Sequence, residues 1–582
     1  MGKITKKKIK ENKMIKINQL RNFFDSLMID GYLVPKNDEY FNEYVSQSKD
    51  RLKFISNFSG SAGFALILKN KNYLFVDGRY TIQAKIQSGK NFKIITIPQK
   101  FPRNVIKTKK ILKIGFDPKL HSEKNLNFLF NMKNILLKPI KKNLIDIIWY
   151  KKPKVLIKPF FFISKKNTGQ NPEKKIKTVK NFLVKNKVDY LLVTAPENVA
   201  WILNIRGHDS EFSPIPNCRL LINNKGNINL FSHPKKFETI KKLFSNKIKF
   251  FDENKIDSML RNVRKKCILI DNLSCSVHYK NLVYKKNKIV EKIDPIYLLK
   301  SIKNSTEIKN MKKSHMIDGV ALTKFLFWIK KNYKKNRITE ISAQEKLERF
   351  RKMNKNYKFP SFSTISGSGP NSAIIHYKAS KKSNRTLKKG DLYLVDSGGQ
   401  YSFGTTDVTR TISLDNNSKF IKDVYTRVLK GHIAVSNYQI KKNSKGSDVD
   451  RDARKFLKQV KLDYPHGTGH GVGHFLNVHE GPQSLSQKNN INLKSGMIIS
   501  NEPGYYKEGH FGIRIENLIY IKKNKFEDLT MAPIEKDLIV KKMLNKYEID
   551  WLNKYHRRVK KNLLKFMNLD EKNNLIDACS PI

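Results

Sequence analysis

Cysteine is scarce in this sequence of 582 residues. Only four cysteines are present, and no two of them form a CxxC pair. So few cysteines cannot supply the disulfide framework on which small secreted domains depend. No apolar run approaches the roughly 18 residues of a membrane-spanning helix, and the lysine-rich start is not followed by the apolar core of a secretory signal. These absences exclude a disulfide scaffold, and we expect no membrane partner and a cytoplasmic location.

Acidic residues are also few, since Asp and Glu number 50 against 115 Lys and Arg, which gives a formal net charge of +65. An excess of this size can indicate a polyanion-binding protein. A nucleic-acid binder concentrates its basic residues on one face or stripe, whereas here lysine is scattered from Lys3 to Lys572. Asn and Ile are abundant as well, and all three residue types have AT-rich codons. We therefore attribute the charge to base composition and expect no specific nucleic-acid partner.

The rest of the composition is that of a folded protein, with 39% hydrophobic and 10% aromatic residues. At roughly 150 residues per domain, the length suggests three or four domains. The pattern predicts a basic tail at residues 1–12, then domains at 13–155, 156–303 and 304–582. The last domain is predicted to end in an extension, about residues 528–582.

The first two domains are predicted to be α/β, because helical patterns alternate with short β-branched runs. In the first, a helix at 17–28 precedes strands at 64–69 and 73–76. In the second, a helix at 174–185 precedes a strand at 190–193. The two blocks have similar size and element order, so we interpret them as candidates for related domains.

The third domain opens with two predicted helices, 307–331 and 340–352, and then changes to glycine-rich turns and short strands. Four carboxylates and one imidazole in this last part are candidate metal ligands: Asp396, Asp407, His470, Glu502 and Glu516. Each carboxylate follows or lies within an apolar, strand-like run. The spacing of the two aspartates suits two adjacent antiparallel strands joined by a turn.

Charges at the ends of apolar strands are costly unless they are paired or bound to metal. Taken singly, each candidate could be a turn cap or a loop residue, so the interpretation depends on their occurring together. Converging carboxylates would repel one another, and two divalent ions would neutralise them. Because the set contains carboxylates and an imidazole but no thiolate, it favours Mn²⁺, with Co²⁺ or Zn²⁺ as alternatives.

Three further histidines accompany this set, His376, His466 and His479. Each alone could be a structural histidine. His466 and His470 are four residues apart, as ligands on one helix face would be, but the glycines between and after them argue against a helix. Those glycines indicate tight backbone turns beside a ligand. His474, in the same stretch, is assigned no role.

Several segments resemble a known family. The strings DSGGQYSFGTTDVTRT (396–411), HGTGHGVGHFLNVHEGP (466–482), SNEPGYY (500–506) and FGIRIEN (511–517) are similar to the aminopeptidase P (Xaa-Pro aminopeptidase) branch of the pita-bread metallopeptidases. ISGSGPNSAIIHY (365–377) matches as well, although Ser372 stands where the family often has Gly. His474 likewise replaces what is often a small residue. Neither departure affects a candidate ligand.

The resemblance extends outside this block to the long, three-domain form of the family. Residues 51–63, 76–84 and 143–149 resemble its first N-terminal domain, 197–209 the second, and 543–556 the C-terminal extension. The resemblance therefore implies two N-terminal creatinase-like α/β domains followed by an α+β pita-bread catalytic domain. It also implies a homodimer.

The family pattern implies roles for individual residues. Asp396 and Asp407 would bind metal, Asp407 and Glu516 would bridge both ions, and His470 and Glu502 would complete the shell of one ion. A hydroxide bridging the ions would then attack the carbonyl carbon before proline, with Glu502 as general base.

The remaining implied roles concern the substrate. His376, His466 and His479 would line its site, and His376 or His479 would stabilise the developing oxyanion. Arg514 and Tyr506 would also contact substrate or support the ligands. The implied substrates are peptides with proline in second position. This preference depends on the resemblance alone, because the sequence does not define a pocket for the proline ring.

Three other functions remain open at this point. A prolidase, which cleaves only Xaa-Pro dipeptides, would share the fold and the five ligands, but the long N-terminal region and the WLNKYH tail (551–556) argue against it. An inactive pita-bread protein could bind peptides, histones or nucleic acid, although the complete ligand set argues against that. A polyanion-binding protein is the third, suggested by charge alone.

Overall fold

The computed structural model describes residues 15–335 and 337–582, so the predicted basic tail at 1–12 lies outside the described residues. The chain divides into two compact units. The N-terminal unit comprises the described residues through Phe162 together with Asn171–Ile296, and the C-terminal unit comprises Ile163–Gln170 and Tyr297–Ile582. Among the described residues, none of the helices combines the length and apolar character that crossing a bilayer requires.

The N-terminal unit begins with a six-stranded mixed sheet. Its strands are β1 Gly31–Pro35, β2 Phe64–Leu68, β3 Asn72–Asp77, β4 Lys93–Ile97, β5 Leu112–Phe116 and β6 Ile135–Pro139. The helices of this region are α1 (residues 15–21), α2 Arg51–Ser56, α3 Thr81–Ser88, α4 Pro102–Val105, α5 Glu123–Phe130 and α6 Leu144–Ile148. The sheet order is β4-β3-β2-β1-β5-β6, and apolar side chains from both of its faces are buried.

A second six-stranded sheet follows. The strands of this region are β7 Phe161–Phe162, β8 Tyr190–Val193, β9 Ile205–Arg206, β10 Arg219–Asn223, β11 Ile228–Ser232, β12 Ile248–Asp252, β13 Cys267–Ile270 and β14 Lys288–Glu291. The helices of this stretch are α7 Lys165–Thr168, α8 Pro172–Lys185, α9 Pro196–Leu203, α10 Pro234–Lys241, α11 Ile256–Asn262, α12 Val277–Tyr284 and α13 Pro295–Ser301. Of these, α7 and most of α13 belong to the C-terminal unit. The sheet order is β12-β11-β10-β8-β13-β14.

The two sheets have the same pattern of strand pairing. In each, the first strand of the sheet pairs antiparallel with the second and parallel with the fifth, and both edge strands are parallel to their neighbours. This agreement confirms the similar element order that the sequence predicted. One predicted helix is shorter than expected: residues 22–28 form turns, closed where Met28 takes a φ of 48° and the Ile29 N–H donates to the Phe24 carbonyl at 2.9 Å.

The C-terminal unit combines long helices with short antiparallel sheets. Its helices are α14 Ser305–Asn332, α15 Glu340–Lys352, α16 Lys419–Ser436, α17 Gly446–Lys458, α18 Lys546–Leu563 and α19 Leu569–Ala578. Its strands are β15 Tyr357–Pro360, β16 Ile365–Ser368, β17 Leu392–Ser397, β18 Gly399–Tyr401, β19 Gly404–Thr405, β20 Val408–Ser413, β21 Gly469–Gly471, β22 Glu480–Leu485, β23 Ile498–Asn501, β24 Gly504–Lys507, β25 Phe511–Arg514, β26 Asn517–Lys522 and β27 Lys525–Asp528. The candidate ligands lie in or next to two of its sheets, which have the strand orders β16-β17-β20 and β22-β21-β23-β26-β27.

Capping residues set the start of the two helices predicted in this unit. Asn304 accepts a hydrogen bond from the Glu307 N–H, and the Glu307 carboxylate accepts one from the Asn304 N–H, both at 3.0 Å. This capping box satisfies two N–H groups that have no partner inside the helix. Thr339 and Ser342 form a similar arrangement at α15. Both predicted helices are confirmed, α15 with the predicted ends and α14 slightly longer at both ends.

Candidate metal centre

The five candidate ligands lie at or near strand ends. Asp396 is the fifth residue of β17, Asp407 immediately precedes β20, and His470 is the middle residue of β21. Glu502 follows β23 directly, and Glu516 lies between β25 and β26. All four carboxylate residues therefore sit where apolar strands begin or end, as the sequence predicted.

Strand pairing brings Asp396 and Asp407 together. β17 and β20 are antiparallel with Asp396 opposite Thr409, so both aspartates lie at the same end of the pair. The connection between them needs glycine, because a Cβ at Gly398 would lie 1.9 Å from the Thr406 carbonyl oxygen. The predicted antiparallel pair is confirmed, and its connection is the β18–β19 hairpin of a neighbouring sheet where the sequence predicted a single turn.

A second pairing brings His470 to Glu502. β21 pairs antiparallel with β23, and the His470 N–H donates to the Ser500 hydroxyl at 2.9 Å. The same hydroxyl donates to Glu502 Oε1 at 3.0 Å. Gly469 permits this approach, since a Cβ there would lie 1.9 Å from the Ser500 carbonyl oxygen.

Three of the five side chains form a compact group. Asp407, His470 and Glu516 each offer a ligand atom, and these atoms all lie within 4.8 Å of one another. His470 Nε2 also lies 3.4 Å from Glu502 Oε1, the same distance as from Asp407 Oδ2. Asp396 is held on the edge of this group by Arg514, whose Nη2 donates to Asp396 Oδ2 at 2.7 Å.

The hydrogen bonds of His470 fit a cation. Its Nδ1 lies 2.9 Å from the Gly471 carbonyl oxygen, which can only accept, so Nδ1 carries the proton of a neutral ring. Nε2 of that ring then carries a lone pair, which faces two carboxylate oxygens. Burial alone would lower the pKa of His470, but Asp407 and Glu502 outweigh it and raise the pKa to about 9. A positive charge is therefore strongly favoured between these groups.

The carboxylates give the same indication. Burial raises the pKa of Asp396 to about 6, since repulsion from Asp407 and Glu502 opposes the effect of Arg514. Burial and the neighbouring carboxylates likewise raise the pKa of Glu516 well above its usual value. The Oδ1 atom of Asp396 is buried without a hydrogen-bond partner among the described residues. Divalent cations would relieve both the repulsion and the unsatisfied oxygen, so the residues present fit a metal centre.

Thr409 supports this group, and sequence reasoning missed it. Its hydroxyl donates to Glu516 Oε2 at 2.7 Å and accepts from Arg514 Nε at 3.0 Å. Thr409 lies two residues after Asp407, which places both on one face of an extended chain. That spacing was the available signal, as it was for Ser500, two residues before Glu502.

A chain of hydrogen bonds joins three predicted substrate residues. Arg514 Nη1 donates to the Tyr506 hydroxyl at 2.7 Å, and that hydroxyl lies 2.9 Å from His466 Nε2. His466 Nδ1 lies 2.8 Å from the Gly467 carbonyl oxygen. Since Nδ1 must then donate, Nε2 accepts from Tyr506, and the chain runs from Arg514 through Tyr506 to His466.

The other two predicted histidines lie on loops. The ring of His479 packs edge-on against that of His470, with centroids 4.4 Å apart, so it borders the group directly. His376 is half-buried in a turn after the 3₁₀ helix Gly369–Ala373. That helix contacts the β24–β25 hairpin, where the Gly512 N–H donates to the Ser372 hydroxyl at 2.7 Å. Ser372, a departure from the family pattern, thus has a structural contact.

Family models cover most of the chain. Residues 309–523 match metallopeptidase family M24, and residues 523–582 match the C-terminal region of peptidase M24. Residues 16–139 and 151–307 each match a creatinase/prolidase N-terminal domain. The predicted fold class, two creatinase-like α/β domains before a metallopeptidase domain, is confirmed.

Individual proteins are also similar to this chain over most of its length. The chain is 38% identical to Xaa-Pro aminopeptidase 1 of Dictyostelium discoideum, over 94% of this chain and 93% of that protein. The crystal structure of X-prolyl aminopeptidase from Caenorhabditis elegans, a cytosolic enzyme with a di-nuclear active site, matches with a TM-score of 0.92 and 29% identity, over 98% of this chain and 100% of that one. The prolidase from Pyrococcus horikoshii OT3 matches with a TM-score of 0.53 and 29% identity, over 62% of this chain and 99% of its own. The chain therefore belongs to metallopeptidase family M24, in a form that carries creatinase/prolidase N-terminal domains and the family's C-terminal region.

Proposed function

We propose that this protein is an Xaa-Pro aminopeptidase, which removes an N-terminal residue that precedes proline. The observation that carries the proposal is the buried group of Asp407, His470 and Glu516, with Glu502 and Asp396 at its edge. Similarity along almost the whole chain to Xaa-Pro aminopeptidases supports the choice of substrate.

We propose that these five side chains hold two divalent metal ions, with Asp407 and Glu516 shared between them. Their hard oxygen and imidazole donors favour Mn²⁺, with Co²⁺ or Zn²⁺ as alternatives. Divalent ions held there would lower the pKa of a water from about 15.7 towards neutrality and so would supply the nucleophile for the scissile carbonyl.

In this proposal Glu502 is the general base. It lies beside His470 and is oriented by the Ser500 hydroxyl, so its carboxylate can take up a proton and deliver it to the leaving proline nitrogen. His479, packed against His470, and His376, in the turn after the 3₁₀ helix Gly369–Ala373, would donate hydrogen bonds to the oxyanion. Removal of one such donor typically lowers the rate by roughly 10²–10³-fold.

Arg514 and Tyr506 have a positioning role in this proposal, together with His466. Arg514 ties Asp396 to Tyr506, and Tyr506 ties that pair to His466. A peptide bound beside Arg514, Tyr506 and His466 would contact hydrogen-bond donors and acceptors whose positions are fixed. Because proline has no N–H, its side of the site needs no hydrogen-bond acceptor. The free amine of the substrate would dock near Asp407, which explains why an internal peptide bond is not cleaved.

The substrate test uses three peptides. With Mn²⁺, the purified protein should release arginine from Arg-Pro-Pro and should not release methionine from Met-Ala-Ser. A prolidase would cleave the dipeptide Arg-Pro and leave Arg-Pro-Pro intact. Release of methionine alone, or cleavage of the dipeptide alone, would therefore refute the proposed specificity. An inactive peptide-binding relative would cleave none of the three.

The proposal also covers the domain boundaries, the cellular location and the oligomeric state. We propose domains at 13–155, 156–303 and 304–582, supported by the similar pairing of the two N-terminal sheets. We propose a cytoplasmic location, by analogy with the cytosolic C. elegans enzyme, and a homodimer, as the resemblance to the long form implies. Sedimentation equilibrium should give twice the mass of one chain; a monomer at micromolar concentration would contradict the dimer.

A further inference from the structure

The C-terminal helix α18 shares a hydrophobic core with the strands that carry the candidate ligands. Its inward face buries Leu552, Tyr555 and Val559 in the same cluster as Ile513 and Ile515. Those two isoleucines flank Arg514, and the second directly precedes Glu516. A helix in the family's C-terminal region thus packs against the strand that leads into Glu516.

Arg410 joins this helix to Glu516. Its guanidinium is 1% exposed, and its Nη1 donates to the backbone carbonyls of Glu516 at 2.6 Å and Thr409 at 2.9 Å. Its Nη2 donates to the Tyr555 hydroxyl and to the Ala532 carbonyl, both at 2.8 Å. The planar fork of a guanidinium fixes the relative positions of the groups that it binds. The backbone at Glu516 is therefore held against a tyrosine of α18.

The Tyr555 hydroxyl is itself held from two sides. It accepts from Arg410 and donates to the Ala532 carbonyl oxygen at 2.8 Å. Loss of this hydroxyl would remove one of three acceptors of Arg410 Nη2 and leave the Ala532 carbonyl oxygen and Asn517 Oδ1, which lies 2.9 Å away. The ring would still fill its place in the core, so the effect would fall on the orientation of Arg410 more than on packing.

A second line of contacts runs from Trp551 to Glu502. Trp551 stacks on Tyr555, with centroids 5.4 Å apart and planes at 11°, and it meets His432 edge-on at 5.7 Å. His432 Nδ1 lies 3.1 Å from the Asn501 carbonyl oxygen, and Asn501 Nδ2 donates to the His432 carbonyl oxygen at 2.9 Å. Asn501 is the residue before Glu502. The carbonyl of Asn501 can only accept, so His432 donates from Nδ1.

We propose that α18 is a positioning element of the metal centre, acting on Glu516 from Tyr555 through Arg410 and on Glu502 from Trp551 through His432 and Asn501. This inference rests on the proposed function, because it requires those two glutamates to bind metal. Groups that orient metal ligands typically change metal affinity by roughly 10–100-fold when they are lost. The C-terminal region would then contribute to metal affinity as well as to stability.

The test compares two tyrosines of the same helix. Tyr555→Phe removes the buried hydroxyl, and Tyr547→Phe removes the hydroxyl of a residue that is 81% exposed. Metal-free forms of both variants and of the unaltered protein are titrated with Mn²⁺ by calorimetry, and the melting temperature of each metal-free form is recorded. We expect Tyr555→Phe to raise the Mn²⁺ dissociation constant by about tenfold. The control should match the unaltered protein in both measurements.

Each outcome separates a positioning role from a purely structural one. A lower melting temperature of metal-free Tyr555→Phe with an unchanged Mn²⁺ dissociation constant would overturn the inference, as would equal values for the two variants. If Tyr555→Phe does not fold, Trp551→Phe replaces it. This variant has a smaller ring against His432, and its Mn²⁺ dissociation constant and melting temperature are compared with those of the control in the same way. If the unaltered protein binds none of Mn²⁺, Co²⁺ and Zn²⁺, the proposed function fails, and the inference fails with it.

Discussion

Two buried carboxylate sites in the C-terminal unit differ in what surrounds them. Glu340, fully buried at the start of α15, accepts hydrogen bonds from the Ser368 and Arg385 N–H groups, the Asn371 amide and the Tyr377 hydroxyl. Burial raises the pKa of Glu340, and all four of these donors act in the opposite direction.

At the candidate metal centre the carboxylate neighbours act in the same direction as burial. Burial raises the pKa of Glu516, and Asp407, Glu502 and Asp396 raise it further. A carboxylate surrounded by donors is satisfied by the protein alone, whereas carboxylates surrounded by carboxylates require cations. The difference between the two sites therefore favours a structural role for Glu340 and supports the proposed metal-binding role of the second group.

The largest expected effect is on catalysis, from Asp407→Asn. We expect kcat/KM for Arg-Pro-Pro to fall by roughly 10³-fold, equivalent to about 4 kcal/mol, because a shared ligand is lost. The substitution removes a charge that repels Glu516 and attracts His470, so these effects oppose each other and the metal-free variant should melt close to the metal-free parent. Steady-state kinetics and thermal melting check both parts. Normal activity, or a large loss of stability without metal, would contradict this assignment.

A second effect concerns the buried Glu480 carboxylate. Its negative charge is balanced by lysines, whereas that of Glu340 is stabilised by neutral hydrogen-bond donors. Glu480 forms buried ion pairs with Lys303 and with Lys300, whose Nζ lies 3.3 Å away. Glu480→Gln would leave two buried lysines without a counter-charge, so we expect a loss of about 3–5 kcal/mol in unfolding free energy. Lys303→Met leaves one lysine with one carboxylate and should cost less. Urea unfolding compares the two variants, and the reverse order would refute this interpretation of the ion pairs.

Glu340→Gln sharpens the comparison between the two carboxylate sites. The new amide would place a donor against the donors that now surround the carboxylate, so we expect a loss of about 1–3 kcal/mol in unfolding free energy. The Mn²⁺ affinity of the folded protein should not change. Urea unfolding and Mn²⁺ titration test the two statements. A weaker Mn²⁺ affinity without a stability loss would mean that Glu340 belongs to the binding site.

The smallest expected effect lies in the N-terminal unit, which contains none of the five candidate ligands. His121 is buried with neither ring nitrogen hydrogen-bonded among the described residues, and burial lowers its pKa to about 3. The unfolded chain, with a histidine pKa near 6.5, binds the proton more readily than the folded protein. The free energy of unfolding therefore begins to fall as the pH drops below about 6.5, and it falls further towards pH 3. Stability from the neutral form is complete above that range.

His121→Phe should remove this pH dependence. Relative to the parent, the variant should gain roughly 1 kcal/mol in unfolding free energy between pH 8 and pH 6. Urea unfolding at the two pH values measures the difference. Parallel changes in the two proteins would show that His121 is not the titrating group.

The helices, several strands and the candidate ligands could be predicted from the sequence, each for a physical reason. The two helices at the start of the C-terminal unit have a 3.6-residue apolar period and capping side chains, and these signals are local. Asp396 and Asp407 could be paired because only 11 residues separate them, which suits two adjacent antiparallel strands. Their neighbours Glu502 and Glu516 were included because each also stands at the end of an apolar run.

The supporting contacts could not be predicted in the same way. Arg410 binds groups more than 100 residues away, at Glu516, Ala532 and Tyr555. No local pattern specifies such partners, since tertiary packing of three separate segments brings them together. The turn at residues 22–28 was missed for a related reason: the apolar periodicity of a helix continues through it, while the backbone reverses at Met28.

The central claim is that five side chains of the C-terminal unit hold two catalytic divalent ions. The most direct measurement titrates exhaustively chelated protein with Mn²⁺ while following both bound metal and arginine release from Arg-Pro-Pro. We expect two Mn²⁺ per chain and activity that returns as they bind. Full activity after chelation, or no Mn²⁺ bound at any concentration that supports activity, would contradict the claim.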